Sequence, residues 1–557
     1  MPAVTKFAPL FVLLLAVGVH DAQAARKTVC TITVNSPDEK ETFRRNLPPD
    51  EFQFVELVER GRPDWLASAC QKGIRCDMLL VSGHFDDGTE FYSDRVGARE
   101  SLPTAELERV SCSNSCPGLF SQLKEVYLFG CNTLEAQPLT SHSSEIGRSL
   151  VRSGYSPVDA ERLARELEEQ HRDSNRDRMR HIFRDVPVIY GFSSKAPLGP
   201  AAASLLNRYF QTSASTEIAT GRPNSKLLNL FAPVSMTVTA GSRDSDPDAG
   251  FRQDACRFSD DRLSAAQKLA FVHALLGREM AEVRMYLDRI ETYVGSLSEA
   301  DRQTAVVAQA LREIAHDKEV RTRYLAFTGD VDEPAVRARM IELAASLGWL
   351  SPSEKRAQLV QMIGDRLARN AVGPSEVDLV CRLNKDHELD QELHRLQLSP
   401  EEANKVTDSA ILACLGSEKA HARILRALAS PNDEEVEIAQ VYLHHRPIAD
   451  AAELRGVATA IVGMNGTSAQ VRALDTLAHY QLSDGEILAA LAHLFSLAKS
   501  VNVQRAIAGV LIRSDYRTIA GPELVRVLRE HRLKSQEGVD LIDVLIRHVE
   551  ASYLPRS

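Results

Sequence analysis

The sequence lacks three features that would assign it to a functional class directly. It has no excess of basic residues, because 66 Lys and Arg stand against 76 Asp and Glu and give a formal net charge of −10. A nucleic-acid-binding protein needs a basic face, so this class of partner is not indicated. Beyond the N-terminal segment no apolar run is long enough to span a bilayer. His171, His181 and the pair His444-His445 have no Cys or carboxylate partners at metal-ligand spacing, so we predict neither a metal site nor a cofactor.

The first 24 residues have the pattern of a signal peptide. Lys6 provides a positive charge, an apolar run follows from about Ala8 to Val19, and Ala22-Gln23-Ala24 fits an A-x-A cleavage site. We therefore expect cleavage after Ala24 and export to the periplasm or out of the cell. The alternative is an uncleaved membrane anchor, but the apolar run is shorter than the roughly 20 residues that a spanning helix needs.

Export to an oxidising compartment would allow the cysteines to form disulfides. There are nine of them: Cys30, Cys70, Cys76, Cys112, Cys116, Cys131, Cys256, Cys381 and Cys414. Eight cysteines can form four disulfides and leave one reactive thiol, for which Cys131 is the natural candidate. Nearness in sequence suggests two pairs, Cys112 with Cys116 and Cys70 with Cys76. The alternative to a disulfide is a buried free thiol, and this alternative is favoured for Cys381 and Cys414, which lie in predicted helices.

Two short apolar runs organise the N-terminal half of the chain. DMLLVSGH covers Asp77–His84 and KEVYLFGC covers Lys124–Cys131, and each is too short for an ordinary helix and rich in strand formers. Each run ends in a small residue followed by one reactive side chain. Because the carboxyl ends of parallel strands meet at one edge of a sheet, where chemistry usually takes place, we expect His84 and Cys131 to form a Cys-His dyad.

The rest of residues 25–240 has the pattern of an α/β domain with a largely parallel sheet. Helices of about ten residues separate several of the further predicted strands, which are Lys27–Ser36, Phe52–Val58, Val186–Tyr190 and Val234–Ala240. Residues 156–185 are strongly charged and are predicted to be a helical insertion with solvated charges. The polar stretch 241–258 is predicted to be a linker.

From residue 259 onward the apolar spacing is helical and strand signals nearly vanish. Three helix openings look alike, at Val436, Val471 and Val503, with intervals of 35 and 32 residues. They predict a degenerate repeat of paired helices, an all-α solenoid over residues 259–557, and they resemble HEAT-type repeats. An irregular helical bundle is the alternative. Either arrangement offers an extended surface for a protein partner or a long substrate.

The order of the two apolar runs resembles that of the caspase-like cysteine peptidases, the clan that includes clostripain, gingipain, legumain, separase and the CHAT domains. In that clan a strand ends in a small residue and His, and some fifty residues later another strand ends in Gly or Ala and Cys. The resemblance covers about Lys27–Ala240 and implies an α/β sandwich with a largely parallel central sheet. It implies that His84 is the general acid/base and Cys131 the nucleophile. No Gln-Ala-Cys-x-Gly is present, so a caspase proper is excluded.

The resemblance extends to segments near the dyad. CNTLEA at Cys131–Ala136 is similar to the clostripain-type segment, and GFSSKAPLG after the fifth strand is similar to the region that shapes the specificity pocket of CHAT domains. Candidate pocket residues are two serines and a lysine of this region and two carboxylates after His84: Ser193, Ser194, Lys195, Asp86 and Asp87. The carboxylates would orient His84 or contact a basic substrate residue, although loop carboxylates are more often only solvated.

The chemistry explains why the two residue types belong together. A thiol attacks as the thiolate, so Cys131 needs a neighbouring imidazole to accept its proton. Backbone N–H groups at the turns would stabilise the oxyanion, and the candidates are those of Gly83 to Phe85, of Gly130 and of Cys131. Phe85 stands where the clan usually has Gly.

We therefore predict an exported cysteine endopeptidase whose helical repeats recruit a protein or peptide substrate or a protein partner. One alternative is a caspase-like scaffold with HEAT-like repeats that binds protein partners without turnover. Another is an unrelated α/β domain whose thiols are structural.

Overall fold

The chain divides into two compact units, residues 1–310 and 311–557. The computed structural model describes residues 26–57, 66–85, 88–93, 100–113, 116, 118–137, 143–171, 174–213, 215–369, 372–396, 405–465, 468–519, 521–533 and 541–553. The predicted signal peptide, residues 1–24, and the pocket candidates Asp86 and Asp87 lie outside these residues.

The first unit is built on a central sheet. Its described strands are β1 (Lys27–Thr33), β2 (Phe52–Glu56), β3 (Met78–Ser82), β4 (Glu90–Tyr92), β5 (Ser101–Pro103), β6 (Glu125–Phe129), β7 (Val188–Phe192) and β8 (Met236–Thr239). Six of them form one sheet in the order β2-β1-β3-β6-β7-β8, and every neighbouring pair is parallel except β7 with β8. β4 and β5 form a separate antiparallel pair. The predicted α/β domain with a mostly parallel sheet is therefore confirmed.

Helices alternate with the strands and continue after them. They are α1 (Asp38–Asn46), α2 (Ala67–Gln71), α3 (Thr104–Cys112), α4 (Ser143–Arg152), α5 (Pro157–Gln170), α6 (Asn175–Ile182), α7 (Gly199–Thr212), α8 (Ser225–Phe231), α9 (Ala249–Ser259), α10 (Ala265–Leu276), α11 (Met280–Met285), α12 (Leu287–Ser296) and α13 (Glu299–Gln303). The boundary between the two units falls inside α14 (Ala305–His316).

Helices cover both faces of the sheet, because its central strands are mostly apolar. All five residues of β3, β6 and β7 are buried. On one face, which we call the α7 face, strand residues form a core with α1, α7 and α8 through Phe43, Leu206 and Phe231. On the other face, the α3 face, the core includes Leu107 of α3 and Met179 of α6.

The charged stretch 156–185 forms two helices that differ in their surroundings. α5 exposes most of its charged residues and buries only small ones such as Ala160 and Ala164. α6 packs into the sheet core through Met179 and Ile182, each at most 1% exposed. The prediction of a solvated insertion is therefore wrong for α6. Its few apolar residues stand between Arg and Asp residues in the sequence, so the segment shows no apolar pattern.

Residues 241–258, predicted to be a linker, are part of the first unit. α9 begins within this stretch, and its Cys256 forms a disulfide with Cys112 of α3. Asp248 is 2% exposed, and its Oδ2 lies 2.8 Å from Nε2 of His181 in α6. The polar residues here form buried contacts with the domain, so their composition does not mark a boundary.

Four disulfides link cysteines that are distant in sequence, namely Cys30–Cys76, Cys70–Cys116, Cys112–Cys256 and Cys381–Cys414. Cys131 is the free cysteine, as predicted. The predicted pairs Cys112–Cys116 and Cys70–Cys76 are wrong, and Cys381 and Cys414 are paired instead of being buried thiols. Packing of the parallel strands and their helices brings distant cysteines together, which nearness in sequence does not reveal. Four disulfides suit an oxidising compartment.

The described part of the second unit contains helices and no strand. They are α15 (Lys318–Asp330), α16 (Pro334–Ser346), α17 (Pro352–Ala368), α18 (Pro374–Leu383), α19 (Val406–Cys414), α20 (Glu418–Ala427), α21 (Asp433–His445), α22 (Ala451–Val462), α23 (Ser468–Leu477), α24 (Gly485–Leu497), α25 (Val501–Arg513), α26 (Pro522–Glu530) and α27 (Leu541–Tyr553). α21, α23, α25 and α27 pack one on the next, and α20, α22, α24 and α26 form a second row. This is a solenoid-like arrangement. None of the described helices is long and apolar enough to cross a membrane.

Two buried glutamines reveal the repeat of this solenoid. Gln470 and Gln504 are both 0% exposed. Each donates its side-chain amide to a carbonyl nine residues earlier, at Ile461 and Phe495, near the C-terminal end of the preceding helix. The equivalent positions are therefore 470 and 504, and position 436, occupied by Val436, lies one equal interval earlier. The openings predicted at Val471 and Val503 are each one residue away from this register.

The double substitution Cys112→Ser with Cys256→Ser tests the assigned pairing. It removes the cross-link that spans 144 residues. We expect the free energy of unfolding to fall by about 2–5 kcal/mol, because the unfolded chain gains conformational freedom. The measurement is urea unfolding of the non-reduced protein, and Cys131→Ser, which breaks no disulfide, is the matched control.

Peptide mapping of the same non-reduced protein checks the pairing independently. We expect four cross-linked peptides that match the four pairs above and an alkylated peptide that contains Cys131. A peptide that links Cys112 to Cys116 would contradict the assignment.

Candidate active site

His84 and Cys131 follow neighbouring strands at the same height. β3 and β6 are parallel, and the last pair of their register is Ser82 with Phe129. The N–H of Gly83 still donates to the carbonyl of Phe129, at 3.1 Å, so the strands remain together beyond this pair. His84 and Cys131 each come two residues after it. Since neighbouring strands lie about 4.8 Å apart, the register brings the two residues side by side.

Alternation along the strands also directs both side chains to the α7 face. The residues of β3 and β6 that belong to the core on this face are Met78, Leu80, Tyr127 and Phe129. His84 and Cys131 continue the same alternation. The sulfur has a partner on this side, because the N–H of Ala196 donates to Sγ of Cys131 at 3.3 Å and Ala196 packs against the same core.

A tight turn after Cys131 holds the thiol at the edge of the sheet. Asn132 has a left-handed backbone, with φ of 58°, a conformation that Asn adopts more easily than most residues. Its N–H donates to the carbonyl of Ser194 at 2.7 Å, and its carbonyl accepts from Nδ2 of Asn175 at 3.1 Å. The residue after the thiol is therefore tied to the loop after β7 and to α6.

His84 is held by the small antiparallel sheet. It exchanges two backbone hydrogen bonds with Tyr92 of β4, each of 2.9 Å, and the two rings lie 5.4 Å apart. The next residue, Phe85, is fully buried and packs on Phe91 with ring centroids 4.6 Å apart. Its side chain belongs to the core on the α3 face. The side chain of the residue after His84 therefore points away from the face that holds His84 and Cys131.

The direction of each backbone N–H group shows which of the predicted oxyanion donors are available. Gly83 does not qualify, because its N–H donates to Phe129. Successive N–H groups of an extended strand point to opposite sides, so the N–H of Phe85 faces β6, as that of Gly83 does. By the same alternation the N–H of Cys131 faces β3 and that of Gly130 faces β7. Of these, the Phe85 and Cys131 groups face the gap between the strands, and among the described residues neither donates to a protein acceptor.

The predicted pocket residues after β7 lie next to the thiol. Ser193 and Ser194 both contact Ser235: the N–H of Ser193 donates to its carbonyl at 3.1 Å, and Oγ of Ser194 donates to its Oγ at 2.8 Å. Lys195 is exposed. The loop thus keeps its place through Ser235 and directs the N–H of Ala196 at the sulfur.

A buried carboxyl near His84 was not identified from the sequence. Glu39 of α1 is 3% exposed and accepts a hydrogen bond from Oγ of Ser82 at 3.0 Å. Ser82 lies two residues before His84 and on the same face of β3. Burial raises the pKa of Glu39 from 4.5 to about 7. No sequence signal distinguished this residue, because it belongs to the charged helix DEKETFRRN.

Comparison of the chain with protein-family models, with curated proteins and with solved structures found no match. Within the described ranges, no group of three or more His, Cys, Asp or Glu residues is placed to hold a metal ion.

Gly130→Ala tests the close approach of the two strand ends. An added Cβ would lie 2.9 Å from the carbonyl oxygen of Gly83 and 2.9 Å from Cβ of Phe85, so the strands would have to separate. We expect the free energy of unfolding, measured with urea, to fall by about 1–3 kcal/mol. The control is Gly147→Ala in α4, where an added Cβ meets no heavy atom within 4 Å. Equal stability changes in the two variants would contradict the close approach.

Glu39→Gln tests the buried carboxyl. Folded Glu39 keeps its proton up to about pH 7, whereas in the unfolded chain it ionises near pH 4.5. The folded state binds more protons between these values, so the wild-type protein loses stability as the pH rises through this window. Gln cannot ionise. We therefore expect the free energy of unfolding of the variant, measured relative to that of wild type, to rise by about 2–3 kcal/mol when the pH is raised from 5 to 8.

Urea unfolding at both pH values measures this gain. Glu41→Gln on the same helix is the control for the loss of one carboxyl group. A stability difference between Glu39→Gln and wild type that is the same at pH 5 and pH 8 would contradict the raised pKa.

Proposed function

We propose that the first unit is a cysteine endopeptidase of the caspase-like type, with Cys131 as nucleophile and His84 as general acid/base. The observation that carries the proposal is the common height and common face of these two residues at the ends of β3 and β6. That Cys131 is the cysteine left out of the four disulfides also supports it. An exported protein that keeps one thiol free beside a histidine has the residues for nucleophilic catalysis.

The proposed reaction assigns one task to each group. His84 accepts the proton of the Cys131 thiol, and the thiolate attacks the carbonyl carbon of a peptide bond to form a C–S bond. The N–H groups of Phe85 and Cys131 are directed toward the gap in which the resulting oxyanion would lie. His84 then gives its proton to the leaving amine as the C–N bond breaks. Water, deprotonated by His84, releases the acyl group and regenerates the thiol.

The surroundings of Phe85 support this assignment despite the departure from Gly. A bulky residue after the histidine would obstruct a substrate if its side chain pointed to the α7 face. Phe85 instead packs on Phe91 in the core on the α3 face, which leaves only its backbone beside the dyad. A backbone N–H is the part of that residue that the chemistry needs.

We propose that the helical second unit recruits the protein substrate or a protein partner. Its two rows of stacked helices present a long surface of the kind that solenoids use for binding. The four disulfides support a place of action in an oxidising compartment outside the cytoplasm.

Labelling of the non-reduced full chain with a thiol-directed peptidyl electrophile tests the dyad. We expect modification of Cys131 alone, with no labelling in Cys131→Ala. Labelling of His84→Ala should be about 100-fold slower or more, because the imidazole no longer accepts the thiol proton. The measurement is the rate of adduct formation by mass spectrometry.

His316→Ala is the matched control, since it removes an exposed histidine from the described part of the chain. It should label at the wild-type rate. Equal rates for His84→Ala and wild type would reject the dyad. A labelled Cys131 without cleavage of any protein would favour the alternative, a caspase-like scaffold that binds partners without turnover.

A further inference from the structure

A polar cavity lies at the edge of the sheet opposite to the dyad. Its volume is about 900 Å³, and it is bounded by α3, by α9 and by the segments that lead into β6 and β7. Phe120 and Ser121 precede β6, and Asp185 precedes β7, so the cavity lies at the amino ends of these strands. His84 and Cys131 lie beyond the carboxyl ends, with roughly 17 Å of strand between the two edges.

The charges that line this cavity are mainly positive. Three guanidinium groups, of Arg184, Arg243 and Arg252, face two carboxylates, of Asp185 and Asp244. Both carboxylates pair with Arg184, whose Nε lies 3.0 Å from Asp185 and whose Nη2 lies 2.5 Å from Asp244. Within the described part of the chain, Arg243 and Arg252 form no ion pair. Three arginines against two aspartates leave the cavity with one surplus positive charge, in a chain with a net charge of −10.

Arg252 is the more informative of the two. Its Nε donates to the carbonyl of His181 at 2.8 Å and its Nη2 to Oγ of Ser111 at 3.1 Å. Both acceptors are neutral, and they fix the guanidinium in the wall of the cavity. Burial, and after it the charge of Arg184, lowers the pKa of Arg252, yet a guanidinium remains charged at neutral pH. The carboxylates of Glu108, Asp185 and Asp244 act on this cation from beyond ion-pair distance, so a bound anion would be its first direct ionic partner among the described residues.

We propose that this cavity binds a small molecule through an oxyanion group, a phosphate or a carboxylate, held by Arg252 and Arg243. An orientated guanidinium forms paired, charge-assisted hydrogen bonds with the oxygens of such a group. The volume exceeds that of a single phosphate ion and is in the range of small-molecule sites, so the anion is one part of a larger ligand. The site is independent of the proposed peptidase function, because it shares no residue with the dyad.

Binding at this site would stabilise the packing of α9 on the sheet domain. Arg252 belongs to α9, and its partners Ser111 and His181 belong to α3 and α6. The disulfide Cys112–Cys256 joins α3 to α9 at the same cavity. An anion between Arg252 and Arg243 would connect α9 to the segment after β8, and unfolding of the first unit would then require its release.

Thermal unfolding of the full non-reduced chain in inorganic phosphate, in succinate and in sodium chloride of equal ionic strength tests the proposal. We expect phosphate or succinate to raise the midpoint by a few degrees in a saturable manner that chloride does not reproduce. Whichever of the two acts at the lower concentration identifies the phosphate or the carboxylate as the preferred group. An equal effect of all three salts would overturn the proposal.

Two variants assign the effect to the cavity. Arg252→Gln should weaken the binding of the effective anion about tenfold or more, as measured by titration calorimetry. Arg243→Gln, at an exposed position, should also weaken anion binding and should not affect folding. If Arg252→Gln does not fold, the result for Arg243→Gln tests the assignment by itself. Arg162→Gln, on the exposed side of α5, is the matched control and should bind like wild type. Undiminished binding in Arg243→Gln and Arg252→Gln would overturn the assignment.

Discussion

The parallel register between β3 and β6 is the constraint on which the arrangement of the candidate site depends. It places the two residues that follow these strands at equal height, and strand alternation then gives both the same face. A shift of one residue in either strand would send one side chain to the opposite face. Gly130 maintains the contact at its last point, since an added Cβ there would collide with the carbonyl of Gly83. The proposed chemistry therefore depends on the pairing of the two strands as much as on the two side chains.

Disulfides reinforce this sheet domain, and none of them involves Cys131 at the carboxyl edge of the sheet. Three of the four disulfides lie in the first unit: one joins β1 to the segment before β3, one joins α2 to the loop after α3, and one joins α3 to α9. Cys131 is held instead by the Ala196 N–H and by the bonds of Asn132. The two edges of the sheet consequently differ in chemistry. The carboxyl edge presents a thiol and an imidazole, and the amino edge presents the arginines of the polar cavity.

Predictions from sequence succeeded where the local pattern and the tertiary structure agree. All six strands of the main sheet were predicted. The central strands β3, β6 and β7 are short, mostly apolar runs, as is typical of buried parallel strands, and β1, β2 and β8 are rich in β-branched, aromatic and other strand-forming residues. The prediction for α6 was wrong because two apolar residues among many charges were enough to bury one side of the helix. The solenoid was predictable from helical spacing, but its register became clear only from Gln470 and Gln504. The apolar spacing of a sequence cannot predict a buried glutamine whose side-chain amide donates to the preceding helix.

The sequence by itself determined the α/β character of the first unit, the helical character of the second and the positions of His84 and Cys131 after two strands, and it indicated Cys131 as the free thiol. These features follow from short-range apolar periodicity and from an odd number of cysteines. Only the tertiary structure decided the disulfide partners, the place of α9 in the first unit, the direction of Phe85 and the buried state of Glu39. Each of these depends on contacts between residues far apart in the chain, and such contacts are selected by packing of the whole domain and not by local composition.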